Sequence, residues 1–231
     1  MMLSSLARLT RYVFGFLLLA GASALVSTPT PARSLAMPAD SSHIYYAERN
    51  VAQLRAGLEA ADSRFEDLLY RYRLYPLTEE AGLLDDIPKT LDDGTASELA
   101  VLSGLWAYRA GEASLFGAAR YGRRSMNVLE EAKRRDRFDP FVLLVEGQSL
   151  LYRPSIAGRD PGEAATRFDQ LRTVLQSAPA VPIAAEEAMI WHWVALREAD
   201  QEDAATSLYE RLSAADLPPL YREFLESPPR V

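Results

Sequence analysis

From residue 42 onward the apolar positions recur at three- and four-residue intervals, and no stretch sustains the alternation expected of a half-buried strand. The pattern predicts an all-α fold. Its first stripe runs through Ile44, Val51, Leu54, Leu58, Phe65 and Leu69, one face of a long, Tyr-rich helix over 42–73. Pro76 is expected to end that helix, because proline lacks the amide donor and disfavours helix in the residue before it. Thr78-Glu79-Glu80-Ala81 then offers an N-cap, with acids in the first turn, for a short helix over 78–85. The stretch from Asp85 to Thr95 reads as a loop or broken helix.

Beyond it the periodicity itself repeats. In residues 185–218, Ala188, Trp191, His192 and Ala195 take packing positions on a first helix, Ala204, Leu208 and Arg211 those on a second, and Pro218 closes the unit. A unit over 140–179 carries Gly147 and Leu150, then Ala164, Phe168 and Leu171, with the long connection Arg153 to Gly162 between its helices. A looser unit over 97–140 uses Gly104, Ser125, Leu129 and Ala132, on helices over 95–111 and 114–136. These spacings resemble degenerate tetratricopeptide repeats of exported bacterial proteins, in which small residues let paired helices approach and a proline ends each unit. His192 and Arg211 depart from the pattern, standing where small residues are usual. The resemblance covers about 95–218. It implies a short right-handed solenoid of antiparallel helix pairs, with the long N-terminal helix capping one end and a C-terminal helix over 218–225 the other.

The N-terminus is read separately. Arg8 and Arg11 precede the apolar run Val13 to Ala20, and small residues follow in Gly21-Ala22-Ser23-Ala24. A charged start, a short apolar run and an A-x-A-like end make a secretory signal peptide, cleaved after Ala24 or after Ala36. The alternative, an uncleaved anchor, is short: extended to Val26 the run reaches about 14 residues where a span needs about 20. Residues 1–36 are thus assigned to signal peptide and lead-in, 37–94 to an N-terminal helical segment and 95–231 to repeats plus cap, with 37–231 folding as one domain. The expected location is the periplasm or the exterior, and the membrane is involved only if the signal segment stays attached.

Charge and composition then narrow function. Every acidic residue lies at or after Asp40, so loss of residues 1–36 leaves 22 basic against 32 acidic residues, a net charge of −10. Such a body is a poor nucleic-acid binder, since phosphate contacts need clustered Lys and Arg. The chain has no cysteine, which excludes disulfides, thiolate metal sites and a cysteine nucleophile. His43 and His192 are its two histidines and carry no metal-ligand spacing, so neither a metal nor another cofactor is expected. Asp92-Asp93-Gly94-Thr95 looks like an aspartic-protease turn but lacks the β scaffold and a second copy, leaving turn chemistry. Glu226-Ser227 is similar to the Glu-Ser pair of lytic transglycosylases, yet four residues remain after it, too few to build a sugar cleft.

The expectation is therefore a non-catalytic adaptor or scaffold that binds a protein or peptide in the cell envelope. The alternatives are a small-ligand-binding or transport-accessory subunit and, further off, a peptidoglycan-acting enzyme needing a deep cleft around Glu226. The repeat resemblance implies a concave groove lined by first helices. The first unit contributes Glu98, Val101, Leu105, Tyr108 and Arg109. The second contributes Phe141, Leu144, Gln148, Leu151 and Tyr152, and the third Glu186, Met189, Trp193, Leu196 and Arg197. Either this aromatic and Arg-flanked groove is open to an apolar peptide or helix, or the N-terminal helix fills it and the functional surface lies elsewhere. Arg153 and Arg159 in the long connection are candidates for partner contact or for bracing.

Overall fold

A computed structural model describes residues 41–178 and 180–229, so the segment read as signal peptide and lead-in lies outside the described residues. All regular structure among the described residues is helical.

The expected long N-terminal helix is broken into three: α1 (Ser42–Ala47), α2 (Val51–Glu59) and α3 (Arg64–Thr78). Local start signals override the continuous stripe. Arg49 takes a left-handed conformation with φ of 54°, and Asn50 caps α2 by accepting from the Gln53 amide at 3.1 Å. Ser63 and Glu66 form a reciprocal capping box that begins α3. Pro76 does not end α3. It sits in the last turn, where the helix runs on to Thr78 and stops at Glu79, whose φ is 53°. Thr78 accordingly starts nothing, and its hydroxyl donates back to the Leu74 carbonyl at 3.1 Å. A single 3-10 turn, Ala81–Leu84, stands where the second helix was expected.

Three helix pairs follow: α4 (Ala96–Glu112) with α5 (Leu115–Arg135), α6 (Pro140–Tyr152) with α7 (Pro161–Ser177), and α8 (Ala185–Glu198) with α9 (Glu202–Ser213), before α10 (Pro219–Glu226). Prolines open α6, α7 and α10, where the missing N–H costs no helical bond. Thr95, Asp139 and Asp160 cap α4, α6 and α7 through their side-chain oxygens. Ser97 donates to Asp139 at 2.5 Å, tying the starts of α4 and α6. Arg159 bonds the Leu151 carbonyl at 3.0 Å and Glu198 at 2.5 Å, tying the ends of α6 and α8. The three first helices therefore run in the same direction.

In the middle pair the crossing is the one the spacing implies. A Cβ on Gly147 would lie 2.5 Å from the Phe168 ring, and Ala164, Phe168 and Leu171 are fully buried. In the first pair the close approach falls one residue earlier than expected. Ser103 and Ser125 exchange hydroxyl-to-carbonyl bonds at 2.9 Å, whereas Gly104 faces Tyr72 of α3, whose ring would stand 2.5 Å from an added Cβ. In the third pair α9 is rotated the other way. Its buried stripe is Ala205, Leu208 and Leu212, while Ala204 and Arg211 are exposed, so the charge at Arg211 needs no burial.

α3 lies along the three first helices. Its start meets α4 and α6, with Arg64 bonded to Glu98 at 2.9 Å and Phe65 edge-on to Phe141 at 5.4 Å. Its far end meets α4 again, where Tyr75 donates to Glu112 at 2.5 Å. The N-terminal segment does not cap the end away from α10. α1 instead packs on α10, and Arg49 pairs with Glu223. The described residues form one compact unit.

Candidate functional site

Of the fifteen groove positions eleven are buried or half-buried, among them Glu98, Tyr108, Phe141 and Gln148 in contact with α3, and four depart. Val101, Leu105, Leu144 and Leu151 are fully buried, and Glu98, Phe141, Trp193 and Leu196 nearly so. Tyr108 stacks with Tyr72 and Tyr75 of α3 at 5.5 and 4.8 Å, and Gln148 accepts from the Tyr72 hydroxyl. Met189 is half-buried against the core. The departures are Glu186, beside α1, Tyr152 and Arg197, both exposed at helix ends, and Arg109, which the one-residue displacement of α4 turns toward α5. The groove of the first two units is thus occupied by the chain's own α3, while Trp193 of the third packs on Tyr209 of α9 at 5.7 Å.

The centre of that occupied groove holds charge. Arg73 of α3 and Glu187 of α8 are each 1% exposed and form an ion pair, with a further Arg73 bond to the Pro182 carbonyl at 3.3 Å. Arg73 also lies over the Tyr46 ring at 4.6 Å. Burial opposes the Arg73 charge, but attraction to Glu187 and the bond from it outweigh burial and hold the guanidinium above its ordinary pKa. Burial raises the Tyr72 phenol to about 12 and Tyr46 beyond that. The Arg73 guanidinium is thus held charged and both phenols neutral, and its ion pair with Glu187 is a locked joint between α3 and α8.

A different arrangement sits at the α4–α5 turn. Trp106 and Tyr121 stack at 5.5 Å, and arginines cover the stack from both helices. Arg124 lies 4.8 Å over Trp106, Arg120 4.7 Å over Tyr121, and Arg109 5.5 Å over Tyr121. With Lys89 and Ile87 they line a cavity of about 310 Å³. Arg109 bonds the Leu84 carbonyl and stands 3.4 Å from Asp85. Among the described residues no carboxylate pairs with Arg120, Arg124 or Lys89. Arg109 first, then Arg120, lower the Tyr121 phenol below its ordinary pKa.

Of these residues Arg109 alone stood among the sequence candidates. The signal for the others was present: three arginines and no acid lie between Leu115 and Leu129 in an otherwise acidic chain. Net charge averaged over the whole body concealed it.

The remaining candidates take structural places. Arg159 braces α6 and α8 as described, and Arg153 closes α6, half-buried. His192 is half-buried toward Asp169 and Arg172 of α7, and burial lowers its pKa. The turn at Asp92 to Thr95 is held by Arg135, which bonds the Asp92 carbonyl at 2.7 Å and also the Gly94 carbonyl. Glu226 is exposed at the end of α10. A second cavity, about 480 Å³, lies between α1 and the α7–α8 connection, walled by Ile44, Ala47, Leu175 and Val181. Among the described residues no three His, Cys, Asp or Glu side chains cluster as metal ligands, and no helix is long and apolar enough to cross a membrane.

Comparison of the chain with known families, with curated proteins and with solved structures returns no match.

Proposed function

We propose that this chain is an exported, tetratricopeptide-like helical protein that works by binding a protein partner in the cell envelope. The observation that carries the reading is the succession of three antiparallel pairs whose first helices run in one direction and share a single occupant, α3. Export rests on the charged, apolar and small-residue succession of residues 1–24. With α3 filling the concave face, the contact surface is assigned to the end of the stack at which α4 and α6 finish, with the α4–α5 turn and the 153–160 connection. There Phe116 is 90% and Ile156 99% exposed, two large apolar side chains available to a partner. Tyr152 adds a half-exposed ring at the same end.

The test is site-directed photo-crosslinking of the full chain in cells of its source. A crosslinker at Phe116 or Ile156 is expected to trap one discrete partner, and the same probe at exposed Ala204 to trap none. Equal trapping from all three positions removes the assigned surface. Sequencing the mature N-terminus checks export separately, and an intact Met1 in the folded protein overturns it.

A second reading, a small-ligand-binding or transport-accessory subunit, is supported by the cationic cavity at the α4–α5 turn.

A further inference from the structure

The cavity between α4, α5 and the loop after the 3-10 turn has a charge that its own residues leave unmatched. Lys89, Arg109, Arg120 and Arg124 supply four cations, and the carboxylates at hand are Asp85 and Asp86. Two positive charges remain in excess, in a chain whose net charge is −7. Arg64, Arg73, Arg135, Arg159 and Arg167 by contrast face carboxylates at bonding distance. Here Lys89, Arg120 and Arg124 line one cavity with no carboxylate paired to any of them.

Geometry shows how the cations are held. Each guanidinium lies over a ring of the Trp106–Tyr121 stack, within the range of cation–π attraction. A guanidinium carries its N–H donors in its own plane, so an arginine that packs on a ring can still offer a donor edge to an oxyanion. Arg120 and Arg124 of α5, with the Lys89 ammonium, border one space, while Arg109 beside them is committed to the Leu84 carbonyl and Asp85. The Arg120 side chain also donates to the Tyr121 hydroxyl at 2.7 Å, which further fixes its direction.

The number and kind of donors select the ligand. A planar monocarboxylate presents one edge and one charge, and it would satisfy a single arginine fork. A phosphate group presents three acceptor oxygens in a tetrahedral array and close to two negative charges at neutral pH, which matches both the convergence and the excess. We propose that this cavity is a binding site for a phosphate group, carried either on a small soluble molecule or on a lipid headgroup. The inference deepens the small-ligand reading and is independent of partner binding at Phe116 and Ile156. The two sources share the phosphate chemistry. The exposed Phe116, one turn before Arg120, gives the headgroup an apolar neighbour.

The experiment uses the mature chain and three probes: inorganic pyrophosphate, vesicles containing phosphatidic acid, whose phosphate is a monoester, and vesicles of phosphatidylcholine. Trp106 fluorescence and titration calorimetry read the first, and vesicle sedimentation the others. The variants are Arg120→Gln with Arg124→Gln, and Arg134→Gln as a control in the last turn of the same helix, where Arg134 pairs with Glu131. Circular dichroism melting verifies that both are folded. Saturable pyrophosphate binding that falls at least tenfold in the double variant and holds in the control supports a soluble phosphate. Selective sedimentation with phosphatidic acid, lost in the double variant alone, supports a headgroup. Absence of binding to pyrophosphate and to phosphatidic acid overturns the site, and so does binding that Arg120→Gln and Arg124→Gln leave unchanged.

Discussion

Arg73 and Arg124 occupy similar local settings, each with its guanidinium over an aromatic ring, at 4.6 Å from Tyr46 and 4.8 Å from Trp106. Their surroundings differ in one respect. Arg73 is 1% exposed and is matched by Glu187, whereas Arg124 borders an open cavity and meets no carboxylate. A buried charge without a counter-ion costs several kcal/mol, so the interior had to supply Glu187. A cation at the surface is solvated by water and can remain unmatched until a ligand arrives. The same side chain thus serves as a joint under α3 and as a receptor beside α5, and exposure separates the two roles.

The largest break in that comparison comes from removing the interior counter-ion. Glu187→Ala leaves Arg73 charged among Tyr46, Tyr72 and Pro182, and the expected loss is about 3–5 kcal/mol, measured by urea denaturation. Replacing both partners, Arg73→Met with Glu187→Leu, removes the orphan charge and should recover most of the loss. A single variant within about 1 kcal/mol of the parent would mean that water already reaches the joint and that α3 is not locked there.

Glycines on the two sides sharpen the contrast. Gly104 faces α3, where an added Cβ would lie 2.5 Å from the Tyr72 ring, and that ring is held by stacking on Tyr108 and by its bond to Gln148. Gly104→Ala should therefore destabilise by about 1–3 kcal/mol, the overpacking cost exceeding the helical gain. Gly122 on α5 has nothing within 4 Å of an added Cβ. Gly122→Ala should stabilise by about 0.5–1 kcal/mol through helix propensity alone. Thermal melts read both, and a neutral Gly104→Ala would show that α3 can move off the first helices.

What could be read in advance follows the same division between local and long-range determinants. The boundaries of α4 to α10 were legible because caps, prolines and periodic stripes act within a few residues: Thr95, Asp139, Asp160 and Pro219 each begin a helix as their chemistry dictates. The breaks near Arg49 and Ser63 were missed because a stripe of apolar residues can pass through short capped helices as well as through one long one. The helical register was legible only to within one residue. At Ser103 the crossing is set by a hydroxyl pair with Ser125, for which the expected Gly104 gives no hint. That one-residue turn, about 100° on a helix, carried Arg109 out of the groove and into the cationic cavity. Which helix would cover the groove depended on contacts such as Arg73 with Glu187, more than a hundred positions apart, and no local pattern encodes them.

The smallest expected effect concerns His192, whose charged form burial disfavours. His192 is half-buried between α8 and α7, where burial lowers its pKa, Asp169 opposes that shift and Arg172 adds to it. Its folded pKa thus lies below the ordinary value of 6.5, so the unfolded chain binds the proton more readily. The stability this contributes is fully present above about pH 6.5 and is lost as the pH falls through the unfolded pKa toward the folded one. Per proton the slope cannot exceed about 1.4 kcal/mol per pH unit. Urea denaturation at a series of pH values, comparing the parent chain with His192→Gln, isolates it from the carboxylates that titrate lower. The parent should lose ground against the variant as the pH falls from about 7 to about 5. Parallel curves would place His192 in water, and the α7–α8 contact would then be looser than the seam that Glu187 closes around Arg73.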